Sequence, residues 1–207
     1  VRLRYRLAWW FSNFVARVFL GLRIEGREHI PKSGGVLVAC NHISYWDPPL
    51  LGVAYNRELF YMAKKELFRN KLFGALIRAY NAIPVSRGVF SRGALEKAIG
   101  VIRSGRSIVI FPEGRRSEPG VLGEPKPGLG MVAEKTGCPI VPAYVIGSDT
   151  IKRCLIRRRS LQICFGPAIR PEEFDAKGGE GRDKYACISR LAMDRVALLK
   201  RRAESAG

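Results

Sequence analysis

Histidine is scarce in this chain. Only His29 and His42 occur in 207 residues, so chemistry that needs an imidazole has two places to happen. The five cysteines, Cys40, Cys138, Cys154, Cys164 and Cys187, are odd in number and form no C-x-x-C pair. That excludes a disulfide framework or a zinc site as the organising feature and points to a reducing, cytosol-side location. No apolar run reaches the roughly 20 residues of a spanning helix; the segment 7–22 is 16 long and carries Asn13 and Arg17. Repeats and low-complexity linkers are absent. Acidic residues are few, 18 against 36 Lys and Arg, which leaves a formal net charge of +18. The excess points to a partner that carries negative charge, with nucleic acid, anionic lipid and a phosphorylated substrate all open.

At 207 residues, 47% of them hydrophobic, the chain fits one domain with a sizeable core. It opens VRLRYRLAWWFSNFVARVFLGLRIEG. Arginines followed by apolar residues resemble a secretory leader, but no small-x-small cleavage site follows, so the segment is expected to be retained. On a helix, Arg2, Arg6, Asn13 and Arg17 form one stripe, with Trp9, Phe11, Phe14, Val15, Val18, Phe19 and Leu22 on the rest. The pattern predicts an amphipathic helix over 1–25 lying in the membrane interface, arginines toward headgroups and aromatics at the acyl boundary, followed by a domain over 26–207. A core helix or a partner-docking helix would show similar spacing.

From Gly34 onward, strand-like runs (GGVLVAC, ELFYMAK, AIPVSR, RSIVIFPEG, PIVPAYVIG, LQICFGPAI) alternate with helical patterns. Alternation at this spacing predicts an α/β fold, a mixed, largely parallel sheet flanked by helices. Ligands of such sheets gather outside the carboxyl ends of the strands. Residues 182–202 read as an amphipathic closing helix with Tyr185, Ile188, Leu191, Ala192, Val196 and Leu199 on one side. The basic cluster KRCLIRRR at 152–159 suits phosphate contacts and a solvated hairpin equally.

His42 follows the apolar run ending at Cys40, and Asp47 comes five residues later, ahead of Pro48, Pro49 and an apolar stretch. That is a helix start with aspartate at the N-cap and proline at N1. It is equally a geometry in which a four-residue turn folds a carboxylate onto one imidazole nitrogen and frees the other as a base. No G-x-S-x-G elbow supplies a nucleophile, and Cys40 reads as a small residue closing a buried strand. The hydroxyl to be activated is therefore expected to arrive with the substrate, where a general base contributes ~10²–10⁴ in rate. His29, in a Pro/Gly-rich loop, reads as a surface residue.

Four blocks extend this reading: Asn41-His42 with Ser44 and Asp47; Lys64, Glu66 and Leu67 leading to Ala82-Ile83-Pro84-Val85 and Arg87-Gly88; Phe111-Pro112-Glu113-Gly114 with Arg116 and Ser117; and Ile140-Val141-Pro142-Ala143-Tyr144. In this order and spacing, over 23–147, they resemble the glycerolipid acyltransferases, specifically the bacterial 1-acyl-glycerol-3-phosphate acyltransferase (PlsC) group. The resemblance implies that His42 is the base, Asp47 its orienting partner, and that the acceptor hydroxyl attacks a thioester directly. It further implies an acceptor-phosphate site from Arg87, the Glu113-Gly114 turn and Arg116, consistent with bidentate arginine on a phosphate and with amides exposed at a glycine turn. Lys64 or Lys126 is expected to support the oxyanion, since Pro48 and Pro49 remove two helix N–H groups. The implied partners are acyl-CoA or acyl-carrier protein, lysophosphatidic acid and an anionic membrane surface at the cytoplasmic face, with no metal, cofactor or nucleic acid. Glycerol-3-phosphate or another lysolipid is the alternative acceptor, and a basic nucleic-acid-binding module the alternative class. Arg115, Asn81 and Pro125 depart from the family's usual threonine, glycine and phenylalanine.

Overall fold

The run VLVAC at Val36–Cys40 has no charged or polar side chain and is buried along its whole length, as a strand covered on both faces must be. Alternation sends Val36, Val38 and Cys40 into one apolar cluster and Leu37 and Ala39 into another. The computed structural model describes residues 9, 10, 12–14, 16, 18, 20–85, 92–151, 161–175 and 180–205. Its strands are β1 (Arg23–Glu25), β2 (Val36–Cys40), β3 (Leu59–Lys64), β4 (Ala82–Val85), β5 (Ser107–Ile110), β6 (Ile140–Ile146) and β7 (Gln162–Phe165). They form a seven-stranded sheet in the order β1-β7-β6-β2-β5-β3-β4. The strands from β6 to β4 in that order run parallel, β7 is antiparallel to β6, and β1 is parallel to β7. The α/β fold with a mixed, largely parallel sheet is as the sequence predicts.

Helices α1 (Asp47–Ala54), α2 (Lys71–Ala79) and α3 (Arg92–Arg103) connect β2 to β3, β3 to β4 and β4 to β5. Helix α4 (Gly128–Thr136) precedes β6, and α5 (Pro171–Asp175) and α6 (Gly181–Ser205) close the chain. One face of the sheet is covered by α1 and α2, through Leu50, Leu51, Val53 and Ile77. The other is covered by α3, α4 and α6, through Ala98, Ile102, Leu129, Val132, Ile188 and Ala192. The closing helix buries Ile188, Leu191, Ala192, Val196 and Leu199, the face its periodicity predicts.

The N-terminal expectation needs two corrections. Residues 23–25, assigned above to a helix over 1–25, are an edge strand, because Arg23, Ile24 and Glu25 pair with Gln162, Ile163 and Cys164. The described residues from Trp9 to Val18 are helical, but Asn13 does not face outward. It is buried, and its side-chain amide donates to the Val53 carbonyl at the end of α1. Ala16 and Leu20 enter the same core as α1, whereas Trp10, Phe14 and Val18 are exposed. The helix thus turns a polar residue inward because the end of α1 supplies an acceptor there. Among the described residues no helix is long and apolar enough to cross a membrane.

Candidate active site

Past the last residue of β2 the chain needs an acceptor and a donor to continue the ladder, and Asn41 supplies both from its side chain. Its Nδ2 donates to the Val145 carbonyl at 3.1 Å and its Oδ1 accepts from the Val145 amide at 2.8 Å. This pins the start of the His42 turn to β6. The turn then folds the Asp47 carboxylate back: Oδ2 lies 2.7 Å from His42 Nδ1 and accepts the amides of Ile43 and Ser44 at 2.7 and 2.8 Å. Oδ1 accepts from Ser148 Oγ, which arrives from the turn after β6. Asp47 is fully buried, and a buried carboxylate requires such donors.

The predicted N-cap role of Asp47 is therefore corrected. Trp46 occupies the cap position without a side-chain cap, and the prolines follow Asp47 inside the first turn of α1. The carboxylate points backward to the 42–44 backbone because two amides and an imidazole converge there. Since a carboxylate taking these donors can only accept, the His42 proton sits on Nδ1 and the Nε2 lone pair is the free one. Nε2 has no hydrogen-bond partner among the described residues. The ring is stacked on Phe111, centroids 4.1 Å apart at 17°, so its plane is fixed as well as its tautomer.

The Phe111–Ser117 block wraps this turn. Its glycine makes the bend: Gly114 has φ of 69° and donates to the Phe111 carbonyl. The Ser117 amide donates to the His42 carbonyl at 2.8 Å. Glu113, expected to contact the acceptor, is only 2% exposed. One oxygen accepts the His42 amide and the other accepts Ser117 Oγ and the Gly123 amide. Its carboxylate is thus buried and taken up by groups of the 42, 117 and 123 segments.

Arg116 is exposed and lies over the Tyr45 ring, its guanidinium carbon 3.8 Å from the centroid, with Nη2 donating to the Tyr45 hydroxyl at 3.0 Å. An arginine of the third block is so brought onto the turn between His42 and Asp47. The Lys126 side chain lies against Gly114, where an added methyl carbon would meet its Cδ at 3.1 Å and Nζ at 3.4 Å. Lys64 is exposed at the end of β3, two strands from β2, roughly 9–10 Å across the sheet. Arg87 and the 152–159 basic cluster lie outside the described residues. Burial, with Asp47 and Glu113 adding to it, pushes the Cys40 thiol well up, so it is no thiolate nucleophile.

A family model described as Acyltransferase matches residues 21–146, more than half the chain and all of this site except Ser148. The chain belongs to the Acyltransferase family. The acyltransferase of Bacillus subtilis (strain 168) called 1-acyl-sn-glycerol-3-phosphate acyltransferase is 30% identical over 155 residues, 74% of this chain and 76% of that protein. The protein of the same name from Streptococcus pneumoniae is 34% identical over 153 residues, 73% of this chain and 56% of that protein. The chain therefore spans three-quarters of the first relative and little more than half of the second. In fold it is similar to the crystal structure of the 1-acyl-sn-glycerophosphate acyltransferase PlsC from Thermotoga maritima, with a TM-score of 0.74 and 24% identity over 97% of this chain and 79% of that one.

Within this acyltransferase scaffold, the structure brings together His42, Asp47, Gly114, Arg116 and Lys126. Sequence reasoning missed Ser148 and the inward role of Glu113. Neither leaves a local signal, since Ser148 is 101 residues from Asp47 and Glu113 71 from His42. Asn81, at a position usually held by glycine, has φ of 62°, a conformation asparagine tolerates better than most residues.

Proposed function

We propose that this chain moves a fatty acyl group from an acyl-CoA or acyl-carrier-protein thioester to the sn-2 hydroxyl of lysophosphatidic acid, giving phosphatidic acid. The observation that carries the proposal is the His42 imidazole, held at Nδ1 by a buried carboxylate and stacked on Phe111, with no hydrogen-bond partner at Nε2 among the described residues. In this reading Nε2 takes the acceptor hydroxyl proton as the oxygen attacks the thioester carbonyl. Asp47 stays ionised and holds the imidazolium. When the tetrahedral intermediate collapses, the carbon–sulfur bond breaks and the sulfur leaves with the proton returned from Nε2. The thioester is already activated, so the chemistry requires neither metal nor covalent enzyme intermediate.

Lys126, against Gly114, is better situated than Lys64 to meet negative charge beside the Glu113-Gly114 turn. Arg116 supports an acceptor bearing a phosphate, which a guanidinium grips in bidentate fashion; Arg87 is proposed to join it. That preference is shared by lysophosphatidic acid and glycerol-3-phosphate, and the names of the two bacterial relatives favour the former. The reaction is proposed to occur at the cytoplasmic membrane face, with the N-terminal helix as a peripheral anchor through Trp10, Phe14 and Val18.

The test measures thiol release from acyl-CoA, and separately from acyl-carrier protein, with lysophosphatidic acid, glycerol-3-phosphate or no acceptor, and identifies the lipid product by mass. Release dependent on lysophosphatidic acid, with phosphatidic acid formed, is expected. Folded protein that releases no thiol with any acceptor from either donor would overturn the proposal.

A further inference from the structure

Helix α2 carries its apolar residues on the wrong side for a soluble surface helix. Gly74 and Ile77 face inward, while Leu72 is 86% exposed, Leu76 53% and Phe73 45%. A single exposed leucine is ordinary; three large apolar side chains within five residues make a patch. The orientation is fixed rather than incidental. A methyl carbon at Gly74 would come within 2.9 Å of the Phe68 carbonyl oxygen, so the helix is pressed on the preceding turn, and Asn70 caps it by accepting the Phe73 amide.

The charge around the patch has one sign. Between 64 and 79 stand Lys64, Lys65, Arg69, Lys71 and Arg78 against Glu66 alone, and all five basic residues are exposed. A leucine and phenylalanine face without hydrogen-bonding groups, rimmed by long basic side chains, has the composition of a helix lying in an anionic lipid interface. Its position agrees. The first turn of α2 follows from the carboxyl end of β3, the edge of the sheet at which β2 delivers His42 and where Tyr45 and Trp46 are exposed.

The geometry points to α2 as a membrane-docking surface of this protein, Leu72, Phe73 and Leu76 entering the acyl boundary of an anionic bilayer while Lys65, Arg69 and Lys71 meet its headgroups. The face is formed by α2 itself and adjoins the N-terminal helix, whose Ser12 Oγ is hydrogen-bonded to the Tyr80 hydroxyl at the end of α2. Such contact sets the sheet edge that carries His42 against the bilayer, so that a lipid acceptor need not leave the interface to reach the base. Docking concerns lipid binding alone and stands or falls apart from acyl transfer.

The experiment is co-sedimentation of the chain with substrate-free vesicles of phosphatidylcholine with phosphatidylglycerol, and of phosphatidylcholine alone, with thermal melts of each protein. The double substitution Leu72→Gln and Leu76→Gln, at exposed positions, is expected to lower partition onto the anionic vesicles at least ~10-fold with the melt unchanged. Lys65→Glu with Lys71→Glu is expected to weaken binding to the anionic vesicles and to leave binding to phosphatidylcholine alone as it was. Partition of the leucine variant within twofold of the parent would overturn the proposal. So would unchanged partition together with loss of a lipid-free dimer, which would assign the patch to a second copy of the chain.

Discussion

Ser148 donates to the oxygen of Asp47 that the imidazole does not use. With both in place every side of a fully buried carboxylate is engaged, and rotation about its Cβ–Cγ bond would break bonds at both ends. Removing the hydroxyl leaves Oδ1 without its donor, a cost of ~1–3 kcal/mol for a buried polar group, and frees the carboxylate to turn away from Nδ1. Ser148→Ala is therefore expected to lower kcat about 10-fold with KM nearly unchanged, and Ser148→Thr to restore most of it. Steady-state kinetics check this; a fall confined to KM, or no rescue by threonine, would make Ser148 merely structural. Short-range features of the site were legible in the sequence, namely the His42–Asp47 pair and the glycine turn at 114, because a few residues of backbone define them. Ser148 and the inward Glu113 depend on which strand ends the sheet places side by side, and spacing in one chain does not carry that.

Elements show the same division. Strands and helices from Gly34 onward fall where period and turn residues predict, since burial on both faces leaves runs such as VLVAC little alternative. The N-terminal helix was misread at Asn13 because a helical wheel gives a polar stripe without saying which neighbour covers it; the Val53 carbonyl decided the matter. Contacts between helices are likewise invisible in sequence. Gly130 in α4 sits so near α6 that an added methyl carbon would lie 2.0 Å from the Tyr185 carbonyl oxygen, and its amide donates to Ser189 Oγ at 2.9 Å. Backbone, not a flexible side chain, blocks the space. Gly130→Ala should then force α4 from α6 and lower stability by ~1–3 kcal/mol, read as a reduced midpoint in urea; a midpoint equal to the parent's would refute this close approach.

For the whole molecule, the sheet order explains why distant blocks meet. The carboxyl ends of β2, β5 and β6 lie side by side and deliver His42, the Glu113-Gly114 turn and Ser148 to one edge. The buried interior also has a pH signature. Burial is the main cause that raises the Cys40 and Cys138 thiols, the Cys164 thiol to about 11, the Tyr55 hydroxyl, and the Tyr144 hydroxyl to about 12. Each is an acid whose folded value lies above its ordinary 9.0 or 10.0, so the unfolded chain releases the proton first. Their stabilising effect is complete below pH 9 and is lost as pH rises toward 11. Relief of the +18 charge acts oppositely but begins only as lysines titrate near ~10.4. Tm is thus expected to fall between pH 9 and 10; calorimetry showing a level or rising Tm there would contradict this balance.

The central claim, that His42 is the base in acyl transfer, is tested most directly by thiol release from acyl-CoA with lysophosphatidic acid, comparing the parent with His42→Ala at equal folded concentration. The account predicts a loss of ~10²–10⁴ in kcat with the melt preserved. A His42→Ala protein that transfers acyl groups within a few-fold of the parent rate would show that the imidazole is not the base.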